Sequence, residues 1–123
     1  MKIKLLFCIL LFSVNAANSQ NVTVNIRAFI EGFYRGSGTM VAVIDPVIHP
    51  TLCDTMTVRL LDTVAPYTIL YTSISVISTT GYGAFDFPSL PIGRSYYLQL
   101  VHRNSLNVFS RFPVPFNSTT VSC

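Results

Sequence analysis

Residues 81–105 read GYGAFDFPSLPIGRSYYLQLVHRNS. A glycine turn precedes alternating aromatic positions at Phe85 and Phe87, and a proline-rich turn leads to a second alternation that begins at Tyr96. Alternation of apolar and polar residues is typical of a strand with one buried face. The stretch therefore predicts two strands joined by a short turn, with the polar run 102–105 at the end of the second strand.

The remaining chain repeats this pattern. Residues 22–30 and 56–60 alternate in the same way, whereas no stretch after residue 20 has helical apolar spacing free of Gly, Pro and β-branched residues. About seven such segments are separated by Gly, Pro and Asp, which is the spacing of a β-sandwich. We predict an all-β fold, a single antiparallel β-sandwich of the Ig-like kind.

The segment 67–78 is unusually long for one strand, since it would span roughly 40 Å. Its apolar positions change from odd to even numbers near Thr72 and Ser73. A β-bulge or a break shifts the phase of a strand in this way. We therefore expect the strand to be interrupted at this point.

The apolar phase of the strands also predicts the core. Seven side chains lie on that phase or beside the aromatic turn and are expected to be buried: Ile26, Val58, Leu60, Phe85, Phe87, Leu98 and Leu100. His102 continues the phase of Leu98, whereas Arg103 falls on the opposite face. We expect His102 to close the end of the sandwich by hydrogen bonds to loop carbonyls, as part of the frame and not of a reactive site.

The N-terminus has the three-part layout of a secretory signal peptide. Lys2 and Lys4 precede an unbroken apolar run at 5–12, and small residues follow. The run is well short of the roughly 20 residues that a membrane-spanning helix needs. We expect no membrane span once the signal is removed.

Cleavage after Ala16 or after Ser19 fits the small residues that follow the apolar run. We assign residues 1–19 to the signal peptide and residues 20–123 to one β-sandwich domain. The expected location is extracellular, either secreted or at the cell surface.

The charge of the whole chain is misleading. It has 8 Lys+Arg against 5 Asp+Glu, but two of the cations, Lys2 and Lys4, belong to the signal peptide. The cations that remain are dispersed arginines at positions 27, 35, 59, 94, 103 and 111. Because they form no basic cluster, nucleic acid is excluded as an expected partner.

Two cysteines remain after export, Cys53 and Cys123. An even pair in an oxidising compartment can form a disulfide, but the last residue of a chain often frays. The sequence leaves open whether the two cysteines pair or stay separate thiols.

Metal binding and catalysis find little support. Asp45, His49, Cys53 and Asp54 form the most metal-like grouping, but it lies in a proline-rich connection without paired ligand spacing. The histidines are His49, which belongs to this grouping, and His102, beside which the sequence nominates no acid or nucleophile. We expect no catalytic residues, no metal and no cofactor.

Aromatic residues near glycines are the candidates for ligand contact. Phe29, Phe33 and Tyr34 surround one glycine loop, and Tyr82 lies in another turn. Such side chains can stack on sugars or fill a groove of a partner protein. The alternative is that they cap the ends of the sandwich.

The strand–turn–strand pattern resembles that of prealbumin-like sandwiches, such as the carboxypeptidase-regulatory-like and collagen-adhesin B-type repeats. In those repeats G-x-F-x-F, L-P-x-G and Y-x-L-x-L/V follow one another. The matching residues here are Gly83, Phe85, Phe87, Leu90, Pro91, Gly93, Tyr96 or Tyr97, Leu98 and Leu100.

A broader resemblance covers most of the chain after the signal peptide, at residues 27–40, 53–62, 66–73, 78–81, 95–105 and 113–116. These stretches are similar to a secreted module of cell-surface proteins in bacteria that use type IX secretion. The resemblance implies a non-catalytic structural or adhesion module, with surface glycans or other cell-surface protein modules as partners. A carbohydrate-binding module that uses the loop aromatics is the alternative. Relatives continue into further modules and a sorting domain, so the resemblance leaves open how this chain is anchored.

Overall fold

The structure is a computed structural model that describes residues 18–123, and residues 1–17 of the expected signal peptide 1–19 lie outside that range. Within the described residues, one 3-10 turn at Glu31–Phe33 lies between the strands. In chain order the strands are β1 (Ser19–Arg27), β2 (Tyr34–Gly36), β3 (Thr39–Met40), β4 (Leu52–Leu61), β5 (Ile69–Ser78), β6 (Tyr82–Pro91), β7 (Arg94–Val101), β8 (Val108–Phe109), β9 (Val114–Phe116) and β10 (Thr120–Ser122). Across residues 18–123, the chain forms no helix of sufficient length and hydrophobicity to cross a membrane.

Two sheets form the layers of a β-sandwich, which confirms the predicted fold class. One sheet has the order β10-β1-β6, and the other has the order β5-β4-β7-β8 with β9 also paired to β7. The short hairpin of β2 and β3 forms a separate pair. Neighbouring strands are antiparallel with one exception, because β10 runs parallel to β1 from Thr23↔Thr120 to Asn25↔Ser122.

The quoted stretch contributes one strand to each layer. β6 pairs with β1 in the smaller sheet, and β7 pairs with β4 in the larger one. The turn between them uses Gly93 at φ +89°, a backbone conformation that costs a residue with a Cβ about 1–2 kcal/mol. The N–H of Gly93 donates to the carbonyl of Phe116, so the turn is also tied to β9.

The core lies between the two sheets where the strands alternate as predicted. Of the seven side chains expected to be buried, six are buried, and Leu100 is half-buried against the core. Complete burial of one large apolar side chain contributes about 1.5–3 kcal/mol. The largest fully buried side chains are Tyr96, Phe85, Phe87 and Phe116, so aromatic residues fill much of the space between the layers.

Several segments of the structure form only short strands. Residues 106–116 contain β8 and β9 with irregular chain between them, and β3 ends at Met40, the first residue of the apolar stretch 40–44. Short strands of this kind raise the number of strands within residues 18–123 from the predicted seven or so to ten.

The expected interruption near Thr72 and Ser73 is wrong. Both residues pair regularly with β4, and the register shift lies instead beside Leu70, since Leu60 opposes Tyr71 and Leu61 opposes Ile69. The prediction of a break assumed that apolar residues mark the inner face of the strand. In β5, however, Ser73 is buried on the inner face and several apolar residues face solvent. Small polar side chains on the inner face, not a bulge, cause the change of phase.

A true bulge lies at the beginning of β4. Leu52 opposes Ser78 and Asp54 opposes Ile77, so Cys53 is the extra residue. Consecutive strand residues normally point to opposite faces, yet Cys53 and Asp54 are both buried. The bulge therefore directs a carboxylate into the interior.

Candidate functional site: an exposed aromatic cluster around Arg27

The candidate site forms where β1 ends beside the beginning of β6. Arg27 opposes Tyr82 across the two strands, and the N–H of Ala28 donates to the carbonyl of Gly81 at 2.9 Å. Gly81 has φ +87°, and a Cβ at this position would lie 2.6 Å from the carbonyl oxygen of Ala28. Glycine is therefore required for the close approach that brings Tyr82 beside Arg27.

Three rings and one cation meet at this place. The guanidinium carbon of Arg27 lies 5.0 Å from the ring centroid of Tyr82 and 5.4 Å from that of Phe29. The Phe29 ring in turn contacts Tyr34 edge to face, with 5.2 Å between centroids. We call Arg27, Phe29, Tyr34 and Tyr82 the Arg27 cluster.

The rings of the Arg27 cluster are exposed to solvent. Phe29 is 40% exposed, Tyr34 is 47% exposed and Tyr82 is 57% exposed. Side chains that plug the end of a sandwich lose most of their accessible surface. These three rings instead present apolar faces to the surroundings, which is unlike the capping role that the sequence allowed.

A hydrogen bond holds the Tyr34 side chain of the cluster in place. The N–H of Gly38, in the turn between β2 and β3, donates to the Tyr34 hydroxyl at 3.1 Å. The hydroxyl oxygen is the acceptor here, so its own hydrogen remains for another partner.

Within residues 18–123, the ion pairs are those of Asp54 with His102 and Arg103, and Arg27 takes part in neither.

Phe33 lies apart from the other three candidates. It is half-buried, and its ring packs edge to face on His102 with 5.6 Å between centroids. The 3-10 turn that begins at Glu31 separates it from Phe29 and turns it inward. Of the four predicted contact residues, the fold therefore brings three together and places Phe33 against the core.

A second polar group, missed by the sequence analysis, surrounds Asp54. The Oδ2 atom of Asp54 lies 3.1 Å from Nε2 of His102 and 2.8 Å from Nη2 of Arg103. Its Oδ1 atom accepts the N–H of Thr55 at 2.8 Å. His102 is on the core side of β7, as predicted, but its partner is a carboxylate and not the loop carbonyls that we expected.

The hydrogen bonds of His102 assign its tautomer. The N–H of Asn104 donates to Nδ1 at 3.1 Å, so Nδ1 is an acceptor and the proton lies on Nε2, facing Asp54. Both ring nitrogens are therefore occupied by partners from the protein. This geometry suits a structural crosslink between β4 and the end of β7.

Burial raises the pKa of Asp54, but the hydrogen bonds from Thr55 and His102 and the charge of Arg103 outweigh it. The net effect holds the pKa of this carboxyl below its usual range. Asp54 is therefore a carboxylate at neutral pH, and Arg103 supplies the compensating positive charge at the surface.

An open groove of about 680 Å³ connects the two groups of residues. Phe29 of the Arg27 cluster lines it at one place and His102 at another, with Met56 and Leu100 on its apolar wall. Phe29 thus belongs both to the Arg27 cluster and to the lining of the groove.

The metal-like grouping of the sequence is dispersed. Asp45 accepts the N–H groups of Val47 and Ile48 within its own loop, His49 is exposed, and Asp54 is bonded to His102. Within residues 18–123, no three His, Cys, Asp or Glu side chains are arranged to hold a metal ion.

Both cysteines of the described chain are free thiols. Cys53 is buried with its Sγ 3.9 Å from Sδ of Met40, whereas Cys123 is exposed at the end of β10. Of the two outcomes that the sequence left open, the structure has the separate thiols.

Comparison with known proteins gives no match to any protein-family model, curated protein or solved structure. The resemblances to prealbumin-like repeats and to type IX surface modules therefore stay predictions from the sequence.

Proposed function

We propose that this protein is a non-catalytic module of the extracellular space or cell surface that adheres to a partner through the Arg27 cluster. The observation that carries the proposal is the grouping of three exposed rings around one arginine. The signal-peptide layout at residues 1–19 and the resemblance to surface modules support the location. The partner is a surface glycan or another cell-surface protein module.

Exposed aromatic rings and arginine are the side chains that contribute most to binding interfaces. Each ring buries a large apolar area when a partner covers it, and each carries little conformational entropy. In this cluster Arg27 packs on two rings, and the Gly38 N–H holds Tyr34. Such preorganisation lowers the entropy lost on binding and so favours a binding role.

The group around Asp54 supports the non-catalytic part of the proposal. A general base needs a ring nitrogen or carboxylate oxygen that can reach a substrate. Here Nδ1 of His102 accepts from Asn104, and Asp54 receives bonds from Thr55, His102 and Arg103. The pair is engaged in holding β4 and β7 together.

The test is retention of the mature protein on arrays of glycans and of purified cell-surface protein modules. The triple variant Phe29→Ala, Tyr34→Ala, Tyr82→Ala should lose retention by about tenfold or more. The reason is that truncation of each binding hot-spot residue costs about 1 kcal/mol or more of binding free energy. Phe112→Ala is the matched control, since Phe112 is also exposed but stacks on Arg111 outside the cluster. A wild-type protein that is retained by no feature of either array would contradict the proposal, as would unchanged retention of the triple variant.

A carbohydrate-binding module is the second candidate. The specific observation in its favour is that Phe29 and Tyr82 expose ring surface beside the donors of Arg27, since sugars bind to aromatic faces flanked by hydrogen-bonding groups. Retention confined to glycan features would favour this candidate, and retention confined to protein features would favour protein–protein adhesion.

A further inference from the structure

We propose that the Arg27 cluster binds a saccharide that carries an anionic group, either a carboxylate or a sulfate. The anion pairs with the Arg27 guanidinium, and the sugar ring lies against an exposed aromatic face of Phe29 or Tyr82. This inference rests on the proposed function, because it names the ligand class of the same cluster.

The first support is the unpaired charge. The ion pairs of residues 18–123 all converge on Asp54, and Arg27 is not among them. Its guanidinium is held against Tyr82 and Phe29 instead. Aromatic faces attract the cation but accept no strong hydrogen bond, so the N–H donors of the planar guanidinium are left for oxygen acceptors. A carboxylate or sulfate matches this fork of donors.

The second support is the arrangement of the rings around the cation. A pyranose has a rigid face of C–H groups that can pack on an aromatic ring, with hydroxyls at its edge. The Tyr34 hydroxyl accepts from Gly38 and keeps its hydrogen to donate at the same place. Charge, apolar ring face and hydroxyl donor are thus combined at one exposed site.

These features favour an acidic saccharide over other ligands. A neutral saccharide would cover the Arg27 donors without supplying a charge to compensate their lost hydration. An acidic peptide would supply the charge, but its flexible side chains offer no rigid apolar face to the exposed rings. The combination is best satisfied by a sugar ring with an attached anion.

Calorimetric titration at low ionic strength tests the inference with four probes of similar length. They are a guluronate hexamer, which is carboxylated, a sulfated maltohexaose, which carries sulfate and no carboxylate, the neutral maltohexaose, and a hexaglutamate peptide. The wild-type protein should bind at least one acidic saccharide roughly tenfold or more tightly than maltohexaose and hexaglutamate, because a charged hydrogen bond contributes at least that factor. Comparison of the first two probes distinguishes carboxylate from sulfate.

Variants assign the effect to Arg27. Arg27→Gln should reduce binding of the acidic saccharide to the level of maltohexaose. Arg111→Gln should preserve it, and this is a matched control because Arg111 is exposed and lies 5.2 Å from the Phe112 ring centroid. Arg27→Lys retains the charge without the planar fork and should weaken binding by a smaller factor, which supplies a second measurement if Arg27→Gln fails to fold.

Several results would overturn the inference. They are equal affinity for acidic and neutral hexamers, tighter binding of hexaglutamate, absence of binding to both acidic saccharides, or equal losses in Arg27→Gln and Arg111→Gln. Equal affinity for all saccharides, combined with loss of binding in the triple ring variant, would leave the proposed adhesion function standing and remove only the anionic ligand.

Discussion

Asp54 and His102 are 48 positions apart in the sequence, yet Oδ2 of Asp54 lies 3.1 Å from Nε2 of His102 inside the end of the sandwich. The bulge at Cys53 turns the carboxylate inward, and the phase of β7 brings the imidazole to meet it. The contact joins two strands that are already paired in the larger sheet, and it leaves Arg103 at the surface beside the same carboxylate.

Asp54 should make the stability of the protein sensitive to acid. Its pKa is lower in the folded state than in the unfolded chain, so its contribution is complete above the unfolded pKa of about 4 and is lost as the pH falls through the folded value. Denaturant unfolding from pH 7 to pH 2 should give an Asp54→Asn variant about 1.5–3 kcal/mol less stable than wild type at pH 7, with a difference that shrinks below pH 4. The charged groups that contact Asp54 are Arg103 and, when protonated, His102.

Asp86→Asn is the control for this experiment, because Asp86 is exposed and bonds to Thr23 on the surface of the smaller sheet. Its unfolding free energy should stay within about 1 kcal/mol of wild type at pH 7. A constant gap between Asp54→Asn and wild type across the whole pH range would show that the carboxylate charge contributes nothing.

His102 should act as part of the frame. His102→Ala removes one of the hydrogen bonds to the buried Asp54 carboxylate and leaves the Asn104 N–H without its partner, so the free energy of unfolding should fall by about 1–3 kcal/mol. Any ligand binding found for the protein should fall only in proportion to the unfolded fraction. Wild-type thermal stability together with abolished binding would instead identify His102 as a contact residue.

Leu98 should be essential to the core. It is 2% exposed, so Leu98→Ala should destabilise the protein by about 2–5 kcal/mol in chemical denaturation. Leu106→Ala removes the same atoms from a side chain that is 89% exposed, and it should change stability by less than about 0.5 kcal/mol. Similar losses for the two variants would contradict the assignment of the inner face of β7.

Gly81 should control the geometry of the Arg27 cluster. Gly81→Ala imposes a Cβ on a backbone with φ +87° and against the Ala28 carbonyl, so it should cost about 1–2 kcal/mol or more. Gly32→Ala places its Cβ more than 4 Å from any atom outside its own turn and its chain neighbours, and it should be nearly neutral. Thermal melts of both variants test this, and equal melting temperatures would mean that the close approach at Gly81 is relaxed in solution.

The two cysteines should differ in reactivity. Burial raises the pKa of both thiols, and the charge of Asp54 adds to the effect on Cys53. Since Cys53 is inaccessible and Cys123 is exposed, iodoacetamide should modify Cys123 in the native protein and Cys53 only after unfolding. Mass spectrometry of peptides identifies the labelled residue, and a protein that resists labelling at both positions until a reductant is added would indicate a disulfide.

Local alternation was sufficient to predict much of the fold. Side chains in a strand alternate between two faces. The burial of residues such as Ile26, Phe85 and Leu98 could therefore be predicted from their positions in the alternation, without knowledge of the residues that they contact. The turn at Gly93 could likewise be predicted, because a positive φ is a local requirement that favours glycine. The alternation gave a wrong prediction in β5, where the polar Ser73 faces inward.

The sites depended on contacts between distant segments. No pattern within 52–61 reveals a bulge at Cys53, because a bulge is a property of the pairing with β5, and without it Asp54 would not face His102. The sequence by itself determined an all-β sandwich and most of its core, since strand phase is encoded in neighbouring residues. Tertiary structure alone brought Arg27 against Phe29 and Tyr82 and turned Phe33 away, because strand register and loop path depend on packing across the whole domain.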